Sequence, residues 1–192
     1  MVIANVRDVY FQSDPMVWLE QNLTKPFLPV TEAILHRDER WNRGNVEASF
    51  PAFAGRLMDR SVYCAGVMSR EARQVADLML AIGLVSKAGP VATSDQAAYD
   101  LLLDMEPNRS DCQFTRSQAC FACQGETLAY PDKYEELGPY LLEPLLVFGP
   151  EGMSTAGGKL YPMVHQYDRL PKYRGAYPAM LNFKLMRPTQ PA

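Results

Sequence analysis

Four places in the chain bring together residue types that do chemistry. Near the start, the apolar run Val2, Ile3, Ala4 breaks into Asn5, Val6, Arg7, Asp8. Crevices form at the carboxyl ends of strands in α/β proteins, so a strand that ends in a carboxylate presents charge to a ligand. Asp8 either stands at such a crevice or caps the turn that follows. Late in the chain His165 follows the run Leu160 to Val164. A hard divalent cation takes carboxylate oxygen and Mn²⁺ also accepts imidazole, so Asp8 and His165 suit one Mn²⁺ or Mg²⁺ ion. The competing account is a structural histidine bonded to backbone. Asn5 would add an amide oxygen, which ligates without charge. Arg7 pairs either with a bound phosphate or with Asp8.

The two remaining places lie mid-chain. Asp95 and Gln96 follow Ser94 at a helix start, where free amides and the helix dipole stabilise a carboxylate, and capping is the plain account. Cys64, Ala65 and Gly66 sit inside the run Ser61 to Met68, SVYCAGVM, where a glycine implies close approach by another group. Cys120-Phe-Ala-Cys123 invites a zinc reading, but Cys64 and Cys112 supply no second C-x-x-C pair. The four cysteines are therefore expected to be reduced, metal-free thiols, with Cys64 the most buried. Only His36 and His165 exist, which excludes a histidine-rich zinc site.

Stepping outward to the elements, Asp14-Pro15 marks a turn before a short helix from Met16 to Leu23. Phe27 to Ile34 reads as an extended piece, Arg37 to Gly44 as a solvated polar loop, and Glu47 to Asp59 as a helix broken by Pro51 and Gly55. Ser61 to Met68 reads as one strand. Ser69 to Lys87 gives the clearest helical period, with Ala72, Val75, Met79 and Ile82 inward and Ser69 as cap. A second helix, Asp95 to Met105, turns Ala98, Leu102 and Met105 inward, with Ser94 as cap. Strand, helix, loop, helix is an α/β rhythm. After Cys112 short extended pieces take over, and Thr155 to Lys159 reads as a hairpin connection.

The chain has 192 residues, enough for one domain with a real core and too few for two comfortable ones. Its net charge of −3, with acids and bases interspersed, offers no basic stripe for a phosphate backbone, so nucleic acid is not an expected partner. No apolar run approaches a membrane span and no signal peptide opens the chain, so the expectation is a cytoplasmic protein without a transmembrane segment. The domain is expected over residues 1–170. Residues 171–192, with Pro178, Pro188 and Pro191, form a tail expected to pack on its surface.

Taken together and in order, Asn5-Val6-Arg7-Asp8, Tyr63 to Met68, Ser94 to Tyr99 and Val164-His165-Gln166-Tyr167-Asp168-Arg169 resemble the motifs of GT-A-type nucleotide-diphospho-sugar glycosyltransferases. The likeness is to the retaining lipopolysaccharide galactosyltransferases and glycogenin. It implies a Rossmann-like mixed sheet flanked by helices, with Val2 to Val6 and Ser61 to Met68 as central strands. It also implies hexosyl transfer from a nucleotide-sugar donor to a carbohydrate, lipid or protein acceptor, with Mn²⁺ or Mg²⁺ bound by Asp8, His165 and Asn5. Arg7, Cys64, Ala65, Gly66 and Gln166 would line the substrate site, and Asp95 and Gln96 would face the sugar at the reacting carbon. Two departures stand out. Asn5 replaces an acid and Cys64 an asparagine, which lacks an amide's donor and acceptor as a thiol. The resembled enzymes also carry about two βα units before the metal strand, so the likeness implies an N-terminally truncated domain. The alternative expectation is an inactive GT-A remnant serving as a binding or structural module.

Overall fold

The computed structural model describes residues 2–4, 8–69, 71–87, 89–90, 94–123, 135–149 and 151–167. Asn5, Arg7, Asp168, Arg169 and the expected C-terminal tail lie outside the described residues.

The architecture is mixed α/β, with helices set against small antiparallel ladders. Strand β1 (Val2–Ala4) pairs with β5 (Val67–Ser69), and β2 (Val9–Phe11) pairs with β8 (Met163–His165). Strand β3 (Thr31–Leu35) pairs with β4 (Ser61–Tyr63), and β6 (Val147–Gly149) with β7 (Gly152–Ser154). Isolated parallel bridges, Phe27 with Cys112, Val30 with Thr115 and Ala122 with Val164, mix the strand directions. Among the described residues each named ladder has two strands, where a single mixed sheet was expected.

Ser61 to Met68 is not one strand. It divides into β4, a turn through Cys64, Ala65 and Gly66, and β5. Backbone groups must find partners, and here a side chain supplies them. Gln96 accepts from the Ala65 N–H at 3.1 Å and donates to the Tyr63 carbonyl at 2.7 Å, taking the groups a continuous ladder would have used. In β3 the register shifts between Thr31 and Leu35, and Ala33 adopts φ +64° with its N–H on Thr31 Oγ1 at 2.9 Å. Three residues of β3 there stand against one of β4, and the strand bulges.

Helix α1 (Pro15–Asn22) starts on Asp14, whose side chain accepts from Met16 N–H, and Pro15 occupies the first turn where its missing N–H costs nothing. The expected loop at Arg37 to Gly44 is a short 3₁₀ turn followed by helix α2 (Arg40–Ser49). Glu39 caps α2 by accepting from the N–H groups of Trp41 and Asn42. Pro51 opens a separate helix, α3 (Pro51–Leu57), so it starts a helix where a break was expected.

Helix α4 (Ala72–Ser86) buries Val75, Leu78 and Ile82, so Leu78 takes the inward place expected for Met79, and Glu71 rather than Ser69 precedes its first turn. Helix α5 (Ser94–Leu103) is buried on nearly every side, lying between α2 and α4. Ser94 is the first residue of α5, and its hydroxyl donates to the Ser86 carbonyl at 3.0 Å and ties α4 to α5. Outward-facing Met105 was expected inward.

The two largest of four apolar clusters among the described residues form the main core. Val46, Leu57, Leu78, Ile82, Ala98 and Tyr99 pack the helices together, and Trp18, Leu28, Val30, Cys64, Phe121 and Met163 pack beneath the strands. Each large side chain so buried contributes about 1.5–3 kcal/mol. A hairpin connection spans Thr155 to Lys159 as expected, with Thr155 N–H on the Lys159 carbonyl at 2.8 Å and Gly158 at φ +83°. No helix among the described residues is long and apolar enough to cross a membrane.

Candidate functional site

The antiparallel pairing of β2 with β8 sets Val9 opposite His165 and places Asp8 beside the strand end. The ladder continues through Gln166, whose N–H donates to the Asp8 carbonyl at 2.6 Å. On the other side of β8, the His165 N–H donates to the Ala122 carbonyl at 2.8 Å. His165 is thus gripped from both flanks. Gln166 itself stands at φ +59°, a left-handed conformation uncommon outside glycine, so the chain swings away directly after the histidine.

The side chains then converge. His165 Nε2 lies 3.6 Å from Asp8 Oδ1, and His165 Nδ1 lies 3.1 Å from Cys64 Sγ. All three residues are buried, at 7 % exposure for Asp8, 0 % for Cys64 and 3 % for His165. The Cys64 thiol is held well below its ordinary value, chiefly by a hydrogen bond from Cys123, with the nearby His165 and the Gly66 N–H adding to the effect against the cost of burial. Cys123 is pushed well above the ordinary value as the partner that keeps its proton, and burial adds to the shift. Burial also raises Cys120, to about 12. All four cysteines are free and buried, and Cys64 is the least exposed. Gly66, expected to mark a close approach, meets the Cys64 sulfur through its amide.

A sulfur acceptor at Nδ1 keeps a proton on that nitrogen, and Nε2, which faces Asp8, would ligate a metal only with its own proton released. Carboxylate oxygen and imidazole nitrogen then stand side by side, farther apart than a hydrogen bond. That donor set fits a divalent cation of the Mn²⁺ kind. Among the described residues no third His, Cys, Asp or Glu joins them as a ligand group. Further oxygens would have to come from a bound ligand.

Gln96 positions the Cys64 turn. Besides Ala65 and Tyr63, its carboxamide donates to Asp100 Oδ2 at 2.9 Å, so it is engaged on three sides. Asp95 stands exposed in the first turn of α5, and no described hydrogen bond or ion pair joins it to Asp8 or His165. The structure therefore brings together Asp8, Cys64, Ala65, Gly66, Gln96, His165 and Gln166, and leaves Asp95 apart.

Sequence reasoning missed a neighbouring network. Asp100 accepts from Tyr63 N–H at 3.0 Å as well as from Gln96, and His36 Nε2 lies 3.1 Å from its Oδ2. Only α5 and β4 lying against each other reveals it. The chain matches no family model, no curated protein and no solved structure with which it was compared.

Proposed function

We propose that the chain is a glycosyltransferase domain of the GT-A type, moving a hexosyl group from a nucleotide-diphosphate-sugar donor with the help of a divalent metal. The observation that carries this reading is the meeting of Asp8 and His165, remote in sequence, at 3.6 Å with Cys64 on the far ring nitrogen. The mixed α/β architecture agrees with it in class. When bound, Mn²⁺ or Mg²⁺ offsets the diphosphate's charge and stabilises the leaving nucleotide. Asp8 and His165 would hold the ion, and Asn5, which lies outside the described residues, would add a neutral ligand as the resemblance implies. Cys64 orients the imidazole, and Gln96 fixes the turn that presents Ala65 and Gly66 to the donor. Gln166 would stand beside the phosphates, and the resemblance adds Arg7, which lies outside the described residues; Asp95, exposed at the start of α5, stands apart from this group.

The decisive test is calorimetric titration of Mn²⁺ into the protein with and without a nucleoside diphosphate. Two protein ligands and an amide bind weakly, and the diphosphate's oxygens strengthen the site. Binding is expected to tighten with the nucleotide, to tighten again in Asn5→Asp, and to vanish in Asp8→Ala. Titrations unchanged by either substitution would remove Asp8 from the site. The deep burial of Asp8, Cys64 and His165 favours the second reading, an inactive remnant serving as a binding or structural module. That reading expects no Mn²⁺ binding under either condition.

A further inference from the structure

A cavity of about 270 Å³ opens beside α3, α5 and the start of β4, and its lining includes neither Asp8, Cys64 nor His165. Its chemistry is that of an anion site. Lys25, Arg60 and Arg109 line it together with Asp104, Tyr63 and Phe114. Asp104 is buried just past the end of α5, yet its one carboxylate is shared by three guanidinium groups. Arg56 bonds to Oδ2, Arg60 Nε lies 3.2 Å from Oδ1, and Arg109 Nη1 lies 3.5 Å from the same oxygen. Lys25 Nζ reaches the Ser110 carbonyl at 3.1 Å. The other lining carboxylate, Asp100, is turned to Tyr63 N–H, Gln96 and His36. The described lining holds three cations to two carboxylates, with Glu106 outside it also acting on Arg109 and Lys25, and guanidinium forks carry more N–H donors than one carboxylate accepts.

The wall is aromatic. The rings of Tyr63 and Phe114 stand 5.0 Å apart at 46°, and Phe114 is 42 % exposed. An exposed ring beside a group of cations makes a platform for a flat ligand whose charge lies at one end. Burial and the nearby Asp100 push the Tyr63 phenol up to about 12, so it stays neutral and can donate. A cavity near the small end of the usual ligand range holds one ring and one charged group.

We propose that this cavity binds a small phosphomonoester with a single flat ring, the dianion taken by Lys25, Arg60 and Arg109 and the ring laid on Phe114. The site is separate from the metal centre, and its occupancy does not depend on glycosyl transfer. One link to that centre runs from Asp100 through Gln96 to the Ala65 turn, and Tyr63 of the lining adjoins Cys64 in the chain.

The test is calorimetric titration of the full chain with phenyl phosphate, inorganic phosphate and phenol. Phenyl phosphate is expected to bind one to one and about tenfold tighter than either half-ligand, since the ring and the anion each contribute. Arg109→Gln is expected to weaken phenyl phosphate and inorganic phosphate alike, by about tenfold. Phe114→Ala is expected to weaken phenyl phosphate about fivefold and to leave inorganic phosphate unchanged. Both positions are solvent-exposed enough to truncate, and Arg109→Lys, which keeps the charge, is expected to fall between wild type and Arg109→Gln. Failure of phenyl phosphate to bind at millimolar concentration would overturn the proposal, as would phenol binding equally well or Arg109→Gln leaving the affinity intact. Mn²⁺ titrations should not change in these variants, which separates this outcome from that of the transferase reading.

Discussion

The molecule contains two buried histidine–aspartate pairs, and they are built for different purposes. Around Asp100 every contact is tight: Tyr63 N–H at 3.0 Å, Gln96 Nε2 at 2.9 Å and His36 Nε2 at 3.1 Å. The carboxylate's oxygens are both engaged by groups from β4, α5 and the turn after β3. Asp8 and His165 instead stand 3.6 Å apart, with the ring oriented from behind by a sulfur atom. The first pair fastens elements together, because a buried carboxylate is stable only when its hydrogen bonds are made. The second leaves a carboxylate oxygen and an imidazole nitrogen side by side at a strand end, the arrangement on which the proposed metal site rests. Residue type alone does not separate the two pairs; the spacing to the carboxylate and the partner on the second nitrogen do.

The comparison breaks most visibly in stability. Asp100→Ala leaves the Tyr63 amide without its acceptor, takes one of two acceptors from Gln96 Nε2 and removes the carboxylate beside His36, and is expected to cost about 3–5 kcal/mol in denaturant unfolding. Asp8→Ala is expected to cost about 1–2 kcal/mol while eliminating Mn²⁺ binding. Equal losses in the two variants would mean that both pairs are structural. Next in size is the histidine exchange. His165→Gln should lower Mn²⁺ affinity in the presence of a nucleoside diphosphate by at least about tenfold, whereas His36→Gln should leave it unchanged. Replacing the orienting sulfur sharpens the same contrast. Cys64→Ala should lower Mn²⁺ affinity by about tenfold with the fold intact by circular dichroism, since outer partners of a ligating histidine carry effects of that order.

The smallest effect is one of alkaline pH. Cys120 and Tyr63 are both raised to about 12 in the folded protein, against ordinary values of about 8.5 and 10. A raised value means stability present below the unfolded value and lost as pH climbs toward the folded one. Cys64 runs the other way, its lowered value adding stability as pH rises to the ordinary thiol range and none beyond it. Denaturant midpoints should therefore fall from about pH 9 upward, and a flat profile between pH 9 and 11 would count against the burial assigned to Cys120 and Tyr63.

Local signals were legible where the structure is local. Asp14-Pro15 marked the start of α1, Val75 and Ile82 marked the buried stripe of α4, and the glycines of Thr155 to Lys159 marked a hairpin. Glu39 was read as part of a polar loop because a capping glutamate looks like any surface acid until the N–H groups it receives are in place. The break at Cys64 was invisible for a related reason: β-branched and aromatic residues propose a strand, and only a glutamine from α5 diverts it. The nearness of Asp8 to His165 was anticipated through the resemblance of the motifs and by no propensity. The Asp104 and Asp100 clusters gave no sign, since each gathers charges from several elements.

Gln12 holds the end of β2 opposite Asp8 in a way that reaches into how the protein is made. Its carboxamide bonds Met153 on both backbone groups and the Tyr161 carbonyl, 149 residues away. Gly152, at φ +130°, leaves the space: a Cβ there would fall 2.1 Å from Gln12 Oε1. At ribosomal speeds of about 5–20 residues per second, Gln12 waits on the order of ten seconds or more for these partners to be synthesised. During that interval β2 has no β8 to pair with and is an open template for another nascent chain. Production of the protein should therefore depend on chaperone supply, and a residue at position 152 larger than glycine should depress soluble yield before it affects any chemistry.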